Sequence, residues 1–313
     1  MKINYYGYCL NRVSDNEHFL IDLRGLFQTF VSHNDIPYKH SFTRNGENLY
    51  LIPATGSFYY FIMTKNNEAI KTIEAGNLNV GELRALLQAD ESVGFSSYVL
   101  IRSSSIAFAS TVLAPKMRAF CDFTNDIFIS LGLQRYQFVI SPLLYEITEA
   151  EALTLPFIGR SKVEITHGNG LFSQLQTAFN CDADDFQDID ALEITIKPRR
   201  KRNIAAAVRG MINASSGNGL AKLQLKGKDE LHDHLSEFYL AGLGQISDQI
   251  DGSDERQLLE LFQSKITGNT LLANKVTEHE QNPSFGHVAD DDFSMFDDAS
   301  TWPAYVSPLQ GSS

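Results

Sequence analysis

The sequence predicts an α+β chain of two lobes, each with a mainly antiparallel or mixed sheet packed by helices. Three observations carry that prediction. Short segments that alternate apolar and polar residues recur between turn residues, the period of half-buried strands. Between them lie stretches whose apolar residues return every three or four positions, as on an amphipathic helix. The pattern also changes character near residue 150 and dissolves beyond about Thr277. The expected organisation is an N-terminal α+β lobe at 1–150, a C-terminal α+β lobe at 151–276 and an acidic flexible tail at 277–313.

Taken in order, residues 3–10 read as a strand. From Asp15 to His33, Phe19, Leu20, Leu23, Leu26, Phe27 and Phe30 form one helical stripe. Asn48–Thr64 reads as a hairpin turning at 54–57 (Ala-Thr-Gly-Ser), Val80–Gln88 as a short helix and Ser97–Leu113 as a second hairpin. Pro115 opens a helix to about Leu131, and Tyr136–Ile140 is a strand. In the second lobe an acidic helix spans Thr148–Leu155, followed by a strand at Lys162–Thr166 and a helix at Leu171–Asn180. In Ala191–Lys197, Leu192, Ile194 and Ile196 alternate with Glu193, Thr195 and Lys197. A basic helix, a basic strand and a long helix from Asp229 to about Ile250 complete the lobe. The remainder, with its Asp-rich runs around Phe293 and Trp302, has no period and reads as a mobile acidic-aromatic tail.

With 43% apolar and 11% aromatic residues in 313, the chain has ample material for a core. No run approaches the roughly 18 apolar residues of a membrane helix, and the start lacks a secretory apolar segment. Cys9, Cys121 and Cys181 are odd in number and widely spaced, as suits reduced thiols. A soluble cytoplasmic protein without membrane insertion is expected. The net charge of −12 is uneven: seven acids and no Lys or Arg lie beyond Thr277, so the tail carries −7 and the rest −5.

Against that acidity stands Lys197–Lys228, which holds nine of the 26 cationic residues and no carboxylate. They are Lys197, Arg199, Arg200, Lys201, Arg202, Arg209, Lys222, Lys226 and Lys228. Within the window, Ile204, Val208, Met211 and Ile212 make one buried helical stripe, and at ~100° per residue Arg202 and Arg209 lie away from it. Ser-Ser-Gly-Asn-Gly (215–219) then turns the chain. From Leu220 to Lys228, Ala221, Leu223 and Leu225 point one way, and Lys222, Gln224, Lys226 and Lys228 the other. Cations held on regular elements without carboxylates suit a row of phosphates, so the nine are candidate DNA-binding residues. An ordinary solvated face and an acidic protein partner are the competing readings.

No catalytic residue, metal ligand set or cofactor motif is expected, and the chain does not read as an enzyme. There is no G-x-x-x-x-G-K-[ST] loop, and no G-x-G-x-x-G follows a strand. His232 and His234 lie ~200° apart on a helix and cannot grip one ion together. The acid-rich stretch Asp182–Glu193 has Gln187 where a calcium loop needs glycine. Glu193 and Lys197 share a strand side but are a weak match to a metal nuclease.

Five stretches carry a resemblance: Asn48–Asn66, Leu86–Leu100, Pro156–Glu164, Ile189–Ile204 and Leu225–Leu240. In their order and spacing the chain resembles the RexA family of phage-exclusion proteins of lambda-type prophages over roughly 45–250. The resemblance implies a cytoplasmic homodimer that binds double-stranded DNA with little sequence preference. It also implies a two-domain arrangement similar to the recombination-associated protein RdgC. A RexB-like inner-membrane channel is the implied partner, in abortive infection and in the choice between lysogeny and lysis. The family's DNA-contacting basic residues match Lys226 and Lys228, and its cationic run matches Lys197–Arg202. Lys222 stands where the family has an acid, and the chain beyond about Ile250 has no counterpart. The alternatives are a toxin-like metal-dependent nuclease acting during infection, or a non-DNA-binding adaptor to a membrane partner.

Overall fold

The computed structural model describes residues 1–64, 71–73, 80–88, 91–166, 175, 177, 179, 189–199, 202–215, 220–228, 236–240, 244–250, 255–287, 293 and 302. They form an α+β structure in two units, Met1–Ser141 with Val276–Ser313, and Pro142–Lys275. The first boundary falls before the position where the sequence pattern changes. The helix at 149–154 belongs to the second unit because Ala152 and Leu155 bury into its core.

In the first unit, β1 (Lys2–Arg12) turns through Asn16 into β2 (Glu17–Leu20), pairing Leu10 with Phe19. The stripe expected to make one helix from Asp15 is thus divided between a hairpin and α1 (Arg24–Ser32). Asn16 takes the left-handed conformation that asparagine tolerates, and Arg12 binds both Asp15 and Glu17, which fixes the turn. The five-residue α2 (Ile36–His40) is capped by Asp35, whose carboxylate accepts from the Tyr38 N–H. Next come β3 (Thr43–Arg44), β4 (Glu47–Thr55) and β5 (Phe58–Thr64), with Gly56 at positive φ in the expected hairpin turn. A small pair, β6 (Lys71–Ile73) and β7 (Val80–Glu82), leads into a 3₁₀ turn at Leu83–Leu86 where the sequence suggested a helix.

The second hairpin is β8 (Gly94–Ile101) and β9 (Ser105–Ser110), followed by α3 (Met117–Ser130) and β10 (Tyr136–Pro142). The sheet order is β2-β1-β9-β8-β5-β4-β3, with each neighbouring pair antiparallel. The alternating strands and the stripe of α3 bury an aromatic core that includes Phe27, Phe30, Phe61, Phe120 and Phe123.

The second unit opens with β11 (Leu144–Tyr145) and α4 (Glu149–Thr154), whose Thr148 and Glu151 form a reciprocal capping box. Then follow β12 (Phe157–Thr166), β13 (Ala191–Ile196), α5 (Ala205–Ser215) and β14 (Leu220–Lys228). Where one long helix was expected over 229–250, the described residues are strands: β15 (Ser236–Leu240), β16 (Gly244–Gln245) and β17 (Ser247–Gln249). Phe238 pairs with Leu225 and Leu240 with Leu223, so the alternation of this segment is satisfied by a sheet edge. The Tyr239 ring lies where a Cβ on residue 244 would stand, so this packing requires Gly244.

The four-stranded order is β13-β12-β14-β15, antiparallel throughout. One face carries Ile158, Val163, Ile165, Leu223 and Leu225 and is covered by Ala205, Val208 and Ile212 of α5. Burying each of these aliphatic side chains stabilises the fold by about 1.5–3 kcal/mol. Two helices follow, α6 (Glu255–Thr267) and α7 (Thr270–Glu280).

From Val276, within α7, the chain returns to the first unit. β18 (Phe285–His287) adds a parallel strand to β2, Phe293 packs between Phe128 and Tyr136, and Trp302 is fully buried beside Phe30, His33 and Tyr38. Phe285–His287, Phe293 and Trp302 are thus packed in the stretch where composition predicts a mobile tail, of which 288–292, 294–301 and 303–313 lie outside the described residues. Isolated aromatics bury deeply without any period, and only repeated spacing can be read from sequence.

Candidate nucleic-acid interface

With α5 on one face of the four-stranded sheet, the alternate residues of its strands define the opposite, open face. Register sets them in rows. Lys226 of β14 stands opposite Arg160 of β12. Lys197 follows Ile196, which pairs with Ser161, and so comes level with Arg160 from the other side. Three cations thus stand abreast on adjacent strands, which are spaced ~4.8 Å apart, and Glu237 of β15 follows Lys226 in the row by register. The next row holds Thr195, Lys162, Gln224 and Tyr239, and the Gln224 amide donates to the Tyr239 hydroxyl at 3.2 Å. The third holds Glu193, Glu164 and, by register, Lys222. Lys162 is bound to Glu193 at 2.5 Å. The positive charge therefore concentrates at one end of the sheet.

The turn after β13 belongs to the same end. Asn203 holds it there: its side-chain oxygen accepts from the N–H groups of Ile158 and Ala205, and its amide donates to the Pro156 carbonyl. The Ile204 N–H also donates to the Ile158 carbonyl. Arg199 and Arg202 are exposed on this turn, joined by a hydrogen bond from the Arg202 N–H to the Arg199 carbonyl. Lys228 is opposite Phe157, with its ammonium 5.9 Å from the ring centroid. Gly227 between the two lysines has no room for a side chain, since a Cβ would come within 2.6 Å of the Phe157 carbonyl. Among the described side chains, no carboxylate pairs with Arg160, Lys197, Arg199, Arg202 or Lys226.

Arg209 is separated from this group. It lies on α5, behind the sheet, and its guanidinium donates to the carbonyls of Leu153 and Leu155 at 2.8 and 3.0 Å. It therefore satisfies the C-terminal end of α4, where carbonyls lack helical partners and a cation is favoured. The helical wheel shows that Arg209 avoids the apolar stripe of its own helix. It does not reveal that another helix ends beside it.

Residues 1–235 match the RexA family, described as an intracellular sensor of lambda phage and an Abi component. The chain belongs to the RexA family. Two RexA-family relatives, the rexA proteins of Escherichia phage lambda and Enterobacteria phage 434, are each 25% identical over 261 residues, 83% of this chain and 91% of the relative. The RexA match takes in 1–141 of the first unit and 142–235 of the second, including β12, β13, α5 and β14, and stops before β15. No helix among the described residues is long and apolar enough to cross a membrane, and those residues contain no cluster of metal-ligating side chains.

Of the nine basic residues singled out in the sequence of this RexA-family chain, Lys197, Arg199, Arg202, Lys226 and Lys228 are brought to one end of the sheet. Lys222 pairs with Glu164 toward the other end of the sheet, Arg209 is behind the sheet, and Arg200 and Lys201 lie outside the described residues. Sequence reading overlooked Arg160 and Lys162. Their alternation with Ser161 and Val163 was a usable signal, but they precede the basic window by some thirty-five residues, and only strand pairing brings them beside it.

Proposed function

We propose that the chain is a component of a prophage exclusion system that binds double-stranded DNA without sequence preference. The cationic end of the four-stranded sheet would be its contact surface. One observation carries this reading: Arg160, Lys197 and Lys226 stand in one row on the open face, with Arg199 and Arg202 beside them. Such a row engages phosphates and positions a duplex without reading base edges. The role is binding, not catalysis. In keeping with the RexA resemblance, we further infer a cytoplasmic homodimer that presents two such surfaces, works with a RexB-like membrane channel in abortive infection and influences lysogeny against lysis.

Fluorescence anisotropy with unrelated 20–30 base-pair duplexes over a salt series tests the proposal. Affinity should fall with salt at a log–log slope of roughly −0.9 per phosphate neutralised and should be alike for all sequences. Replacing Lys226 and Lys228 together by Ala should weaken every duplex equally and flatten the slope by about 1.8. Tight binding of one sequence at high salt, or no binding at low salt, would overturn the reading. Incubating plasmid with the protein and magnesium should return the DNA uncut.

A further inference from the structure

We propose that the open sheet face contains a built seat for one phosphate group, formed by Arg160 and Lys226 with the Thr195 hydroxyl and the Gln224 amide. The inference deepens the DNA-binding reading and rests on it for the backbone phosphate as ligand. These side chains and Lys162 line a concavity of about 250 Å³, room enough for a phosphate and part of its sugar.

The register of β12 against β14 shifts between Ile158 and Arg160. Such irregularities re-aim a side chain, and here the shift sets Arg160 directly opposite Lys226. Cations facing each other across neighbouring strands repel, and an anion between them relieves that cost. Of the acids on these strands, Glu193 is engaged by Lys162, and Glu237 of β15 is the residue paired with Lys226 by register.

The donors also differ in kind. A guanidinium supplies a planar fork and an ammonium a point charge, while a hydroxyl and an amide supply directed neutral hydrogen bonds. That mixture surrounds a tetrahedral oxyanion. It exceeds what a merely solvated face requires, because Thr195 and Gln224 add nothing to long-range attraction. The ligand is a phosphate ester, whether from the backbone of DNA or from a free nucleotide.

The test uses the full chain with Arg160→Gln and Thr195→Val, and Arg118→Gln as an exposed control in the other unit. Duplex binding is read across salt, and a 5′-mononucleotide is titrated by calorimetry. A DNA seat predicts that Arg160→Gln loses about tenfold in duplex affinity and about 0.9 in salt slope. Thr195→Val should lose about three- to fivefold with the slope unchanged, and the control should match wild type. If both variants bind duplex normally but lose the mononucleotide, the seat stands with a free nucleotide as its ligand.

If Arg160→Gln weakens binding while Thr195→Val is normal in both arms, the contribution is diffuse charge and the seat is refuted. Wild-type behaviour of both variants in both arms refutes it equally. A wild-type protein that binds no duplex would end the DNA reading, and the mononucleotide arm would then decide the seat alone. Thr195 is exposed on a strand, where Val is well accommodated, so its result does not turn on misfolding.

Discussion

Replacing Trp302 by Ala should unfold the first unit far more readily, although the residue lies only eleven positions from the C-terminus. The Trp302 side chain is fully buried, with ring centroids 5.8 Å from His33, 6.1 Å from Phe30 and 6.5 Å from Tyr38. Truncating such a ring costs about 3–5 kcal/mol through lost transfer energy and the cavity left behind. Set against a typical stability of about 5–15 kcal/mol, that is from about a fifth to all of the margin. Phe at 302 keeps most of the contact and should cost only about 1 kcal/mol. Urea unfolding followed by far-ultraviolet circular dichroism measures both variants. The wild-type transition is also visible in fluorescence, because Trp302 is the chain's one tryptophan. Its native emission should be blue-shifted and shielded from acrylamide. If Ala at 302 shifts the transition by less than about 0.5 kcal/mol, or Phe costs as much as Ala, the residue is not part of the core.

Arg209→Ala should destabilise the second unit by about 1–2 kcal/mol, since two carbonyls at the end of α4 lose their donor, while duplex affinity stays within twofold of wild type. Comparing urea midpoints with anisotropy separates those effects. Burial pushes the Cys9 and Cys121 thiols up to about 11. At pH 8 each is then ~0.1% thiolate, against roughly a quarter for a free thiol, so alkylation mapped by mass spectrometry should be slow in native protein and fast in urea. Raising the pH toward 11 should speed native labelling at both positions. Sedimentation at micromolar concentration should return twice the chain mass of 35.0 kDa, and a monomer would remove the dimer.

The α+β class, the hairpins and the basic strand were legible because each rests on local period. The alternation of Leu223 and Leu225 with Gln224 and Lys226 appears in the sheet as written. What escaped depends on pairing. Arg160 becomes part of the cationic row only when β12 lies against β14, and Arg209 becomes a cap only because α4 ends beside α5. Phe19 and Leu23 fit a helix by spacing, yet Asn16 and the clasp of Arg12 divert the segment into a hairpin. At the C-terminus the abundant acids concealed Phe293 and Trp302, two anchors with no repeat to announce them.

The return of Val276–Ser313 to the first unit makes the second an insertion, joined to its host at both ends. During synthesis the inserted unit is complete before the host receives β18 and the aromatic anchors Phe293 and Trp302. A premature stop just after Lys275 would therefore leave the cationic sheet intact and strip the host of the strand along β2 and of Phe293 and Trp302. Nonsense mutations late in the gene should consequently behave as folding defects of the N-terminal half.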